Sequence, residues 1–333
     1  MTRNWELREC DQEFFEKELS TFVPDLIFDA HAHLYKVAHW GPPTCGTLQG
    51  PAIATFEEYQ RHMEWLTPRS QTEGLFFGVG FNDDRFKDSN EFVAAELANH
   101  RSSRGEMIVS PRMDPEEMRQ EVKRLGFSGI KVYHLFVQDE RTWDTDISKF
   151  LIEDHVRIAH EEGWTITLHM VKQRAMAEKA NQERILEYCL KYPDIKLILA
   201  HAARGFNPYH TIEGIHHLKG LQNVWCDTSA VTEAGGFEAI VETLGHERLL
   251  WGSDFPVSHG RGRCIAIGDH FLWLGEETLD WKTMAAYGPI EPVLLGLESL
   301  RSLKLAAQRL KLSDSQIEDI FFHNARKMLD ISM

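Results

Sequence analysis

The chain of 333 residues is short of several features that would place it quickly. It has no CxxC pair, and its five cysteines, at positions 10, 45, 189, 226 and 264, are odd in number and widely scattered. That spacing offers no disulfide framework and leads us to expect reduced thiols in a cytoplasmic protein. The first residues, Met1-Thr2-Arg3-Asn4-Trp5-Glu6, carry no apolar core of signal-peptide length, and no run approaches a membrane span. Positive charge is also scarce: 36 Lys and Arg stand against 51 Asp and Glu, a net charge of -15. A phosphate backbone needs a basic surface, so nucleic acid is not an expected partner. A small anionic substrate stays open, because a few arginines in a pocket override a negative exterior. No glycine-rich phosphate turn follows the first apolar run, which argues against an open, doubly wound nucleotide fold.

What is present is an ordinary globular composition, 43% hydrophobic and 26% charged, with material for a large core. Residues 9–20 read as a short amphipathic helix with Phe14, Phe15 and Leu19 on its apolar side, and Pro24 ends this leader. From Leu26 onward apolar runs of strand length alternate with helical patterns. Strands are expected at 26–33, 75–80, 107–110, 129–133, 165–169, 196–201, 223–227 and 248–254. Helices are expected near 55–66, 90–99, 115–125, 147–162, 175–192, 209–218 and 237–244. Eight strand–helix units rich in Val, Ile and Leu are what a (β/α)8 TIM barrel requires. The expected organisation is an N-terminal helical extension over 1–24 and a single barrel domain over 25–333. Long loops follow the first and last strands, because Gly and Pro crowd Trp40–Gly46 and the chain beyond Asp254 reads as irregular. Helices resume around 292–310, and Ser313-Asp314-Ser315-Gln316 reads as a capping box for a last helix to about Leu329.

Chemistry concentrates at the ends of these strands. In Asp29-Ala30-His31-Ala32-His33 the period of two places Asp29, His31 and His33 on one face of the first strand. His169, His201 and Asp254 close three further apolar runs. Each has an ordinary explanation, a strand cap, a buried neutral imidazole or an Asx turn, yet all fall at the end where barrel enzymes keep their sites. Arg112, Lys172, Arg174, Arg204, Arg261 and Arg263 follow strand ends, and Arg204 and Arg112 are the candidates to orient a substrate carboxylate. Aromatic residues near the mouth, Tyr35, Trp40, Phe136, Phe206, Phe255, Phe271 and Trp273, suit a flat or unsaturated substrate, and equally a barrel cover or a homo-oligomer contact.

Together His31-x-His33, His169, His201 and Trp251-Gly252-Ser253-Asp254-Phe255-Pro256 resemble the amidohydrolase superfamily. The nearest branch is the amidohydrolase-related one that holds aminocarboxymuconate semialdehyde decarboxylase and several lactone hydrolases. Asn324-Ala325-Arg326-Lys327-Met328-Leu329 resembles its closing helix. The resemblance implies that His31, His33, His169 and Asp254 hold one divalent ion, zinc first, with manganese or iron open. It implies metal-activated water, Asp254 as proton acceptor and His201 as general acid/base. Lys131 stands where some members carry a carboxylated lysine bridging a second metal; the simpler reading is a packed, unmodified lysine. The expectation is a hydrolase of an ester, lactone or amide bond in a small, carboxylate-bearing molecule. The alternatives are a non-oxidative decarboxylase on the same site and a non-catalytic metal-binding or ligand-sensing barrel. Asp227 is expected to hold a neighbouring His or Arg rather than the metal.

Overall fold

The computed structural model describes residues 5–40, 50–79, 86–137, 142–278, 280, 288 and 290–332. The expectations for Cys45, Gly80 and most of the Gly/Pro-rich loop after Trp40 fall outside them. Eight parallel strands lie side by side in chain order: β1 Leu26–His33, β2 Gln71–Phe77, β3 Arg104–Val109, β4 Gly129–Tyr133, β5 Thr165–His169, β6 Lys196–Leu199, β7 Val224–Asp227 and β8 Leu249–Leu250. Behind the leader helix α1 Glu9–Phe14, the outer layer is α2 Phe56–Leu66, α3 Phe86–Leu97, α4 Pro115–Leu125, α5 Glu153–Glu162, α6 Lys179–Lys191, α7 Pro208–Gly214 and α8 Gly235–Leu244. This is the expected TIM barrel, and α9 Leu295–Leu310 follows it.

The local causes are plain. Ile130, Val132, Ile166, Leu168, Leu197 and Leu199 are all buried and, at a period of two, form one apolar face of β4, β5 and β6, while Lys131, Thr167 and Ile198, buried as well, take the opposite face, so these strands are enclosed on both sides. Asp114 caps α4 by accepting from the backbone of Glu116 and Glu117, Pro115 occupies the first turn, and Gly126 ends the helix in the left-handed region at φ 69. Thr55 caps α2 in the same way by accepting from Glu58 N.

Several elements differ from expectation, among them the run 147–162, which is two helices, Ile147–Phe150 and α5, parted at Leu151 and Ile152. The run 196–201 stops being a strand at Leu199, and the run 248–254 is a strand only over Leu249–Leu250. The chain after Asp254 is not wholly irregular: β9 Gly262–Ile267 and β10 His270–Gly275 form an antiparallel hairpin. Its inner face, through Phe271 and Trp273, packs on Phe206, each ring 5.1 Å from it. No helix of the described residues is long and apolar enough to cross a membrane.

With β8 so short, the seam between last strand and first is closed mainly by single bonds. Ala30 N donates to Trp251 O, Asp254 N to His31 O and His33 N to Phe255 O, at 2.8, 2.8 and 3.0 Å. Asp29 reinforces the seam from inside. Its fully buried carboxylate accepts from Tyr59 Oη, Ser253 Oγ, Ser253 N and His31 N, at 2.8, 2.5, 2.9 and 3.1 Å. Burial still outweighs these donors and pushes the carboxyl up to about 7. Asp29→Ala would orphan all four donors at about 1–3 kcal/mol for each one left unsatisfied. It is expected to lower the melting temperature by several degrees, whereas Asp29→Asn, which keeps the volume and one acceptor, lowers it far less. Thermal denaturation of both variants checks this.

Candidate functional site

Where β1 ends, two imidazoles face one carboxylate. His31 Nε2 and His33 Nε2 lie 3.5 and 3.4 Å from the same atom, Asp254 Oδ1. Their other nitrogens are tied from behind: His31 Nδ1 donates to Asp227 Oδ2 and His33 Nδ1 to Gly78 O, both at 2.9 Å. Those bonds fix the tautomer that leaves both Nε2 lone pairs pointing inward. Asp254 reaches this position at φ 57, in the left-handed region. Burial alone would raise its carboxyl, but the nearby imidazoles of His33, His201 and His31 hold it below the ordinary range. His31 is driven well below its ordinary value by burial and by the Lys131 ammonium.

His201 is not strand-final. It opens a turn in which His201, Ala202, Ala203 and Arg204 all have positive φ, at 59, 52, 58 and 58. A left-handed turn costs L-residues roughly 1–2 kcal/mol each, so something must hold it. His201 N donates to Asp227 Oδ1 at 2.9 Å, Thr211 Oγ1 to Ala202 O at 2.8 Å and Gly205 N to His201 O at 2.6 Å. The turn brings His201 and Arg204, three positions apart, to one side of the mouth. The His201 ring is anchored by Nδ1 to Ser229 O at 3.1 Å and stacks on Phe206.

Arg204 is 9% exposed, and its Nε has no partner. Among the described residues no carboxylate pairs with it; its guanidinium lies 5.4 and 5.6 Å from the Trp143 and Phe271 rings, and burial pushes its pKa down to about 10. Beside it stands His134, which burial and Arg204 lower to about 4.

The remaining expected residues take distinct places. His169 is one ring removed from the core cluster, 5.1 Å from His201, and its Nδ1 is buried with no partner. Two groups bring their ligand atoms within 4.8 Å: His31 with His33 and Asp254, and His31 with His201 and Asp227. Lys131 is fully buried, its Nζ 3.3 Å from His31 Nε2 and 4.2 Å from the Phe77 ring centre. Arg112 donates to Phe136 O at 3.1 Å and lines a cavity between α3 and α4. The sequence reading missed Glu106, a fully buried carboxylate inside the barrel near Lys131; burial raises it and lowers its lysine neighbour. It also missed Ser229, which anchors His201.

The donor set fits a divalent cation. Two imidazole lone pairs held by rear hydrogen bonds, one carboxylate between them and one unpartnered buried imidazole nitrogen in the adjoining ring are the chemistry a catalytic cation uses.

Behind Asp254, His259 donates from Nε2 to His62 O at 2.9 Å, and burial drives it down to about 3 from 6.5. The unfolded chain therefore binds a proton at this residue that the folded protein refuses between those values. Its contribution to stability falls as pH drops through that window, by at most ~1.4 kcal/mol per pH unit. His259→Gln is expected to flatten the slope of unfolding free energy against pH between 6.5 and 4.5, read by urea titration.

A family model described as "Amidohydrolase" matches residues 28–331. An L-fucono-1,5-lactonase from Burkholderia ambifaria is 31% identical over 105 residues, which is 27% of this chain and 35% of that protein, so the match spans about a third of the relative. Solved structures share the fold. An amidohydrolase from Burkholderia multivorans with bound zinc has a TM-score of 0.59 at 13% identity, over 92% of this chain and 100% of its own. A dihydroxybenzoic acid decarboxylase from a Polaromonas species with bound manganese has 0.53 at 15%, over 92% and 98%.

Proposed function

The chain belongs to the amidohydrolase family, and from that premise we propose a metal-dependent hydrolase that opens an ester, lactone or amide bond in a small, carboxylate-bearing molecule. The observation that carries the reading is the convergence of His31 Nε2 and His33 Nε2 on Asp254 Oδ1. His31, His33 and Asp254 would hold one divalent ion, with His169 as the further nitrogen ligand and zinc or manganese as the metals to test first. Bound there, the ion supplies Lewis acidity and brings the pKa of water towards neutrality.

The chain's own residues do the rest. Arg204 pairs with the substrate carboxylate, a bond its desolvated guanidinium lacks among its described neighbours. Arg112 would assist only from the helical layer behind β3. Asp254 takes the proton of the attacking water as oxygen adds to the acyl carbon. His201, fixed through Ser229 and Asp227, carries that proton from Asp254 to the leaving oxygen or nitrogen as that bond breaks, returning both groups to their starting states. Lys131 remains an amine in this reading, and its cation beside His31 offsets part of the charge of Asp227, Glu106 and Asp254. The phenyl and indole rings of Phe206, Phe271 and Trp143 wall the space in front of Arg204.

The test is a metal analysis followed by a substrate panel. Protein purified without chelator is expected to carry close to one equivalent of a divalent ion and to release acid from sugar lactones and cyclic carboxylated esters. Release of CO2 from aromatic acids instead would make it a decarboxylase, and a metal content of a few per cent would make it a non-catalytic barrel.

A further inference from the structure

The leader lies outside the residues matched by the family, yet it is bound to the catalytic face. Asp11, fully buried, accepts from the Arg261 guanidinium at 3.0 and 2.7 Å and from Leu294 N at 3.0 Å. Arg261 also donates to Glu6 O at 2.8 Å, and Arg8 pairs with Glu276 at 2.6 Å. All three partners, Arg261, Glu276 and Leu294, belong to the chain that follows Asp254. Residues 6–11 are thereby tied to the chain that follows Asp254.

Trp5 is the first described residue of the leader. Its ring stacks on His259 at 5.2 Å and 17°, meets His62 edge-on at 5.1 Å, and lies 6.0 Å from Phe255. A Cβ on Gly50 would come within 2.9 Å of the same indole, so Gly50 also packs closely against it. Phe255 is the centre of this cage. It is fully buried, with Tyr59, His62 and His259 at 5.5, 5.8 and 5.2 Å.

The backbone of Phe255 ties the two halves of the site together. Its carbonyl accepts from His33 N, and its N donates to Ser253 Oγ, each at 3.0 Å. Asp254, immediately before it, sits in the left-handed region that a non-glycine residue enters only when neighbours hold it there. Phe255 is the neighbour with the deepest seat. We propose that Trp5 is a positioning residue for the site: by closing the cage around Phe255 it sets the Asp254 carboxylate against His31 and His33. The claim that this loop bears a metal ligand rests on the function proposed above; the seating of the loop does not.

Two readouts separate these claims. Hydrogen exchange of the metal-free protein reads the loop alone. In Trp5→Ala the amides of Ser253, Asp254, Phe255 and Val257 are expected to exchange about tenfold faster than in wild type, while Trp5→Phe, which refills most of the cage, stays within twofold. Phe14→Ala serves as control, because it removes packing from the same leader against Arg301, away from Phe255. Cobalt(II) titration reads the ligand set: Trp5→Ala is expected to weaken binding about tenfold, the lower end of what loss of an outer support costs a metal site, with an altered ligand-field spectrum. Unchanged exchange in Trp5→Ala, or equal acceleration in Phe14→Ala, overturns the proposal. A wild-type chain that takes up no cobalt overturns the metal reading instead, and the exchange comparison then decides the seating of the loop.

Discussion

Asp254→Asn is expected to lower kcat by about a thousandfold while leaving the barrel folded. The amide has nearly the volume of the carboxylate, and the backbone bonds of residue 254, to His31 O and from Val257 N, do not involve the side chain. What disappears is the charge against which His31 and His33 are aimed and the oxygen to which the proposed reaction assigns the proton of water. Loss of a positioned acid or base typically costs about 10²–10⁴ in rate. Because the same atom is counted among the ion's ligands, the variant should also release its metal to a chelator faster than wild type. The effects of Asp254→Asn and His31→Ala should not add, since both dismantle one unit. The measurement is steady-state kinetics with metal content determined on the same samples. A variant retaining a tenth of the wild-type kcat would remove Asp254 from the chemistry.

Arg204→Met is expected to do two opposite things. Towards carboxylate-bearing substrates kcat/KM should fall roughly a hundredfold or more, mostly through KM. Truncating one partner of a desolvated charge pair costs about 2–5 kcal/mol. The folded protein without substrate should become more stable. In the free protein the guanidinium is buried beside two aromatic rings with no carboxylate among the described residues, and burial depresses its pKa to about 10. Replacing a buried charge by an apolar side chain of similar volume is often neutral or stabilising by about 1–4 kcal/mol. A rise in melting temperature together with a lost KM would mark the residue as kept for binding rather than for folding. An unchanged KM would end the anion-binding assignment. Arg204→Lys should recover only part of the affinity, because an ammonium cannot pair in the planar, two-pronged way.

The barrel was legible because its strands announce themselves locally. Gly129–Tyr133 and Thr165–His169 are short segments rich in β-branched residues, and the folded strands have the same limits. The hairpin after Asp254 carried a readable signal too, Gly268-Asp269 between two apolar runs, but the surrounding Gly-rich chain drew the reading towards irregular structure. The turn at His201–Arg204 carried none. Two alanines suggest ordinary helix or strand, and the bonds that hold the turn come from Asp227 and Thr211, neither of them adjacent. Glu106 went unnoticed for a similar reason: one acidic residue in a short strand reads as solvent-facing until the barrel places Lys131 close by. The histidines on β1 stood out because their spacing is local. Their orientation did not, since Asp227 lies 196 positions from His31. The cage around Phe255 draws Trp5, Tyr59, His62 and His259 from three separate stretches, and no sequence pattern links them.

The seam has a consequence for how the protein comes into being. The imidazoles of β1 leave the ribosome early, whereas the carboxylate they face emerges more than two hundred residues later. Until then the growing chain can offer only two members of the tight group, which would give a cation a weak and promiscuous grip. Capture of the ion would be deferred to the moment the cylinder shuts, and the ion would then rivet first strand to last across a junction that β8 barely pairs. On the proposed ligand set, loading and ring closure would become one event, and chelation is expected to loosen this junction before any other part of the wall.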